Sequence, residues 1–359
     1  MKNLFSLSLN ECSAIRGIAI IMIFVHNYCH WIFSAKENEY QFSRERVNVL
    51  NDALSNFNWD FPAQIFSFFG HYGVPIFLFL SAYGLVKKYE ITPPHENIKF
   101  ELFKNSISFL KTHYLKLVAL MLLGYTAFFG AHGLINGETE LKIPRTIANF
   151  LMVANLNPKT IHIGPFWYFA LMMQLYIIYR IILFPVRSKK YCKIGLPIAI
   201  SIFCCLLHFV AGEETFAMRF IRFNAFGGIL PFSLGLIFAR LDRPQNKIPA
   251  KKSKWIMPII FTGATALVYP MSLEFISWII LPAIVCVWSI AFIKCVPEKT
   301  ISLLAWIGGI SSFIFVFHPT TRAFCMIISN HGLTYTGIFI YIASTILVAA
   351  TWRFIAKNL

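Results

Sequence analysis

Ten runs of about twenty mostly apolar residues constrain this chain more than any other feature it carries. Their approximate limits are 14–33, 64–87, 109–132, 165–184, 194–211, 222–240, 255–270, 274–294, 303–327 and 335–356. A hydrocarbon core about 30 Å thick is crossed by about 20 residues of α-helix. Within it every backbone N–H and C=O must be satisfied inside the segment, and runs of this length do that as helices. The chain therefore reads as an all-α polytopic membrane helix bundle with about ten transmembrane helices. Only 13% of residues are charged, about half the share in soluble domains. Segment 146–156 is too short to span and reads as a re-entrant or interfacial piece.

The loops set an orientation. Lys87, Lys88, Lys99 and Lys104 fall in the second loop. Arg187, Lys189, Lys190 and Lys193 fall in the fourth, and Arg243, Lys247, Lys251, Lys252 and Lys254 in the sixth. By the positive-inside rule these loops, and with them both termini, are cytoplasmic. The long loops 34–63 and 133–164 then face outward, and the first is long enough to carry a surface helix. The net charge of +16 is spread over alternate loops, which suits anionic lipid headgroups and not nucleic acid. Eight scattered cysteines form no disulfide framework and read as small core residues. The first apolar run, interrupted by Arg16 and without a small-residue cleavage pattern, reads as a retained helix rather than a signal peptide.

Arg16 and His26 stand in the run RGIAIIMIFVH. Ten residues of helix separate them by roughly 15 Å, half the hydrocarbon core, so one lies near a headgroup layer and the other near mid-depth. Ionisable groups inside membrane helices are costly and mark polar sites. Arg16 either snorkels to the inner headgroups or forms a fixed cation for a phosphate-bearing donor, for which a guanidinium fork is well shaped. His26 is either a hydrogen-bonded structural residue or the group that moves a proton at neutral pH.

Other polar residues are fewer. Ser81 and Tyr83 place hydroxyls in the second run, and no nucleophile elbow surrounds Ser81. Lys111, His113 and Lys116 open the third run, as positive-inside anchors or as part of a phosphate cradle shared with Arg16. In GPFWYFALMMQLY the polar handles are Trp167, Tyr168 and Gln174, in an interface belt or a cavity wall. His318, before Pro319, either caps its helix or faces the same cavity as His26. A metal reading of HNYCH lacks a third and fourth ligand, so no metal is expected.

Taken together these residues resemble the acyltransferase-3 family of integral membrane acyltransferases. An Arg and a His on the first helix look like its opening motif, with nine residues between them where the family usually has ten. GVPIFLFLSAYGL is similar to its Gly-Val-x-Phe-Phe-x-x-Ser-Gly-Tyr segment. FLKTHYLKL, GPFWYFALMMQLY, ILPFSLGLIFAR and ISSFIFVFHP resemble further family segments in the family's order. The resemblance implies a single acyltransferase-3-like transmembrane domain over 1–359, without the fused extracytoplasmic domain of some relatives. It also implies a prokaryotic cytoplasmic membrane.

From the resemblance the expected activity is membrane O-acyl transfer, with acyl-coenzyme A (acetyl-coenzyme A in the simplest case) as cosubstrate. The expected acceptor is a hydroxyl of a glycan or lipid-linked saccharide. His26 is the expected catalytic residue, and Arg16, Lys111 and Lys116 the expected donor-binding cations. Tyr83, Trp167, Tyr168 and His318 are candidates for the acceptor side or the cavity. The rival expectation is a transporter or flippase for a lipid-linked sugar or small polar solute, with Arg16 and His26 on its substrate or proton path.

Overall fold

The computed structural model describes residues 6–56, 58–90, 98–137, 141–242 and 250–358, and no strand occurs among them. Fifteen α-helices follow in order: α1 Leu9–Ile32, α2 Arg44–Ser55, α3 Phe61–Phe69, α4 Gly73–Tyr89, α5 Ile98–Asn136, α6 Ile143–Phe150, α7 Trp167–Ile178, α8 Cys192–Ala211, α9 Phe216–Phe223, α10 Ala225–Leu241, α11 Ala250–Ser272, α12 Phe275–Cys295, α13 Glu298–Gly309, α14 Ser311–Asn330 and α15 Thr334–Asn358. Nine helical stretches among the described residues are long and apolar enough to cross a membrane. The bent pair α9–α10 makes a tenth. The expected helix bundle is therefore present, and α2 supplies a short helix within the 34–63 loop. Of the basic loop residues counted above, Arg243 and Lys247 lie outside the described residues, as do the side chains of Lys99, Lys104, Lys251, Lys252 and Lys254.

The run at 64–87 passes from α3 to α4 through one tight turn at Gly70–Tyr72, and two further runs are broken. The run at 303–327 is two helices, α13 and α14, interrupted at Ile310 just after the Gly308–Gly309 pair. Glycine is a poor helix former, and here it serves contact instead. A Cβ at Gly308 would lie 1.8 Å from the Ser13 carbonyl oxygen, and one at Gly17 2.0 Å from that of Leu304. The α1 and α13 backbones thus touch, the small-residue contact that holds helices together where lipid gives no hydrophobic drive. The run at 222–240 is α9 and α10, bent by 42°. Asn224 is extended there, and its amide nitrogen donates to the carbonyls of Phe220 and Asn155 while its Oδ1 accepts from Gln174.

α1 lies at the centre of the bundle, packed by α13, α3, α4 and α14. Its start is set by a capping box between Ser8 and Glu11. Lys294 of α12 then ties that end down, at 2.7 Å from Glu11. The same end of the bundle carries the ion pairs Lys87–Asp242 and Arg240–Glu90, the latter with both partners buried. The opposite end is built from the 33–43 segment, whose Phe42 packs with Trp278 of α12. Both positions named on α1 therefore sit on a helix screened from lipid along most of its length.

Candidate active site

His26 is 3% exposed, and its orientation follows from how α3 ends. The carbonyls of the last α3 turn face α1, and that of Phe66 also accepts from the Gly70 N–H. α3 stops at Phe69 beside α1, and the His26 Nδ1 lies 3.0 Å from the Ser67 carbonyl and 3.3 Å from that of Phe66. Both are acceptors only, so Nδ1 carries the proton and donates. The lone pair of the neutral ring is left on Nε2. A lone pair on a fixed ring is what a base requires.

Two more imidazoles flank it. The His30 ring is centred 5.3 Å away and the His71 ring 5.9 Å away. His30 Nδ1 is 3.1 Å from Oε2 of Glu37. His71 Nδ1 donates to the Phe68 carbonyl at 2.8 Å, and its buried Nε2 has no hydrogen-bond partner among the described residues. All three histidines line a cavity of about 540 Å³, together with Asn27, Trp31, Glu37, Glu39, Tyr40, Trp167, Tyr168 and Arg322. Trp31, Tyr40, Phe128, Trp167, Tyr168 and Phe315 give it aromatic surface, and His132 and His162 add further imidazoles.

The two carboxyls behave oppositely. Burial works against the Glu37 charge, yet the hydrogen bond with His30 and the nearby imidazoles outweigh it and bring its pKa down to about 2. Glu39 is pushed up to about 8 by burial and by the charge of Glu37, so it is protonated at neutral pH. His26, His30 and Glu37 offer atoms within 4.8 Å of one another, a spacing that can hold a divalent cation. The His30–Glu37 hydrogen bond satisfies two of those three atoms without one. Cys29, the other residue of the HNYCH run considered for a metal, packs instead with Phe24 and Tyr28 in the apolar core.

A second cavity of about 260 Å³ lies nearer the N-terminal end of α1, lined by Arg16, Leu117, Leu120, Gly308, Gly309 and Ser312. Ile23, Tyr168 and Phe315 line both cavities and form the wall between them. A cation at one end, an imidazole base at the other and a thin apolar partition between them can bring two substrates together from opposite sides.

The remaining candidates are placed as follows. Trp167 and Tyr168 line the His26 cavity. Lys111 and Lys116 are exposed on α5, six residues and one residue before Leu117 of the Arg16 cavity, and neither lines that cavity. Tyr83 is buried away from both cavities, its hydroxyl donating to Asp242 at 3.0 Å and accepting from the Leu7 N–H. His318 is fully buried beside Phe315 and lines neither cavity. His71, Glu37, Glu39, Tyr40 and Arg322 were not singled out by sequence. Arg322 was legible by the criterion that selected Arg16, a charge inside an apolar run.

The family model described as an acyltransferase domain matches residues 10–353, nearly the whole chain. The chain belongs to the acyltransferase-3 family. No curated protein and no solved structure matches it. The match spans every helix that contributes to the two cavities.

Proposed function

We propose that this acyltransferase moves an acyl group, acetyl in the simplest case, from acyl-coenzyme A to a hydroxyl of a glycan or lipid-linked saccharide. One observation carries the reading: the Arg16 cavity and the His26 cavity share the wall of Ile23, Tyr168 and Phe315. With the basic loops on the cytoplasmic side, coenzyme A approaches from the N-terminal end of α1. Arg16 pairs with a donor phosphate, and Lys111 and Lys116 add positive charge at the mouth. The thioester reaches the partition, and the acceptor lies against the aromatic wall of the larger cavity.

The reaction is then a single acyl transfer. His26 Nε2 takes the proton of the acceptor hydroxyl as its oxygen attacks the thioester carbonyl. The carbon–sulfur bond breaks, and the thiolate takes the proton back from the imidazolium. The carbonyls of Ser67 and Phe66 hold Nδ1–H throughout, so the ring keeps one orientation in both protonation states. Such positioning of a base contributes about 10²–10⁴ in rate.

The experiment is turnover of radiolabelled acetyl-coenzyme A by purified protein in lipid. Label leaving coenzyme A in a His26-dependent manner supports the reading. A folded protein that moves a saccharide across vesicles without consuming any acyl-coenzyme A favours the transporter instead.

A further inference from the structure

Arg322 is a cation with no carboxylate ion pair among the described residues, and it lines the larger cavity. It stands within α14, a helix apolar enough to span the membrane. Charges in such helices are expensive and pair with something, or they line a substrate path. The structure supplies only partial compensation. One guanidinium nitrogen donates to the Asn27 carbonyl at 3.1 Å, and the group lies 5.2 Å from the centre of the Trp31 ring. A backbone carbonyl and an aromatic face orient a guanidinium but leave its charge without a counter-ion.

The place of this cation gives it a meaning. Asn27 follows His26 in α1, so the carbonyl that anchors Arg322 is adjacent to the proposed base. Of the two carboxyls on the same cavity, Glu37 is engaged by His30. Glu39 is held largely protonated at neutral pH by burial and by Glu37. Neither neutralises Arg322 through an ion pair.

We infer that Arg322 is an anion subsite in the acceptor cavity, and that the acceptor carries a carboxylate or a phosphate close to the hydroxyl that is acylated. The shared chemistry is a planar or tetrahedral oxyanion, which a guanidinium fork binds through two parallel N–H···O bonds. A uronic-acid carboxylate and a sugar phosphate both supply it. The word acceptor rests on the acyl-transfer reading, but the anion site does not, and the test separates the two.

The test is ligand-observed saturation-transfer NMR on the full chain in lipid nanodiscs, without acyl-coenzyme A. The probes are methyl β-glucuronide, glucose 1-phosphate and neutral methyl β-glucoside. Wild type is expected to bind at least one anionic probe, and Arg322→Gln to weaken that binding about ten-fold, the loss of one charge-assisted contact. Glucoside binding should be equal in both proteins. Binding of glucuronide alone assigns the carboxylate, of glucose 1-phosphate alone the phosphate, and of both the shared oxyanion.

Met326→Glu is the second variant, because it leaves Arg322 in place. Met326 lines the same cavity one helical turn on, so a carboxylate there would pair with the guanidinium and weaken the same probes. No binding of either anion to wild type overturns the inference. So does anion binding that survives both substitutions. Failure of acetyl-coenzyme A turnover with these binding results intact would count against acyl transfer and leave the anion site standing.

Discussion

Gly70 lies directly against His26. A Cβ at position 70 would fall 2.5 Å from the His26 Cβ and 2.6 Å from the Met22 carbonyl oxygen. The turn after α3 can come this close to α1 only without a side chain, and that approach delivers the Ser67 carbonyl to the His26 ring. The glycine thus positions the His26 ring, the proposed base, through backbone proximity alone.

Gly70→Ala should therefore harm catalysis more than folding. Overpacking of this kind costs about 1–3 kcal/mol of stability. A displacement of His26 by even 1 Å should lower kcat about 10²-fold. Melting temperature and acetyl transfer measured on one preparation check this, and a variant with unchanged kcat would show that the contact does not matter to the base.

Glu39 makes stability depend on pH with a definite sign. Its pKa is about 8 folded against 4.5 for the ordinary carboxyl, so the folded state binds more protons between those values. Stability from this group falls as pH rises from 4.5 to 8 and is then constant. Glu37, held near 2, keeps a constant contribution above pH 5 and does not mask the trend. Tyr40 is raised well above its ordinary value by burial and stays neutral here. Thermal unfolding in detergent from pH 5 to 9 should show wild type losing more stability than Glu39→Gln.

Much of this arrangement is legible in the sequence. Apolar runs give the helical membrane architecture, and RGIAIIMIFVH singles out two residues that line adjoining cavities. What periodicity misses comes from tertiary contact. The break at Ile310 follows from backbone touching at Gly17 and Gly308, which no single run reveals. His71 and Glu39 enter the site because the turn after α3 and the 33–43 segment fold over the end of α1. Tyr83 and His318 carried the same polar signal as Trp167 and Tyr168, but the faces they occupy turn them into the bundle instead. Lys111 and Lys116 are basic residues at the expected helix start, yet their side chains project outward from it.

The shared wall predicts a change in donor selectivity. Phe315 separates the two cavities and rings with Tyr168 at 5.3 Å. Phe315→Ala should open space for longer acyl groups, each added CH₂ recovering about 0.8 kcal/mol of burial. Competition between acetyl- and hexanoyl-coenzyme A should shift toward hexanoyl by about ten-fold or more. An unchanged ratio would place the acyl group elsewhere.

The central claim is that the Nε2 of His26 is the base for acyl transfer, and one comparison addresses it most directly. Wild type, His26→Ala and Arg16→Ala are reconstituted in lipid, and acetyl-coenzyme A binding and radiolabel transfer are measured on each. The account predicts that His26→Ala binds donor normally and loses about 10²–10⁴ in kcat. Arg16→Ala should instead raise the donor KM with a smaller effect on kcat. Transfer at the wild-type rate by folded His26→Ala protein would contradict the account.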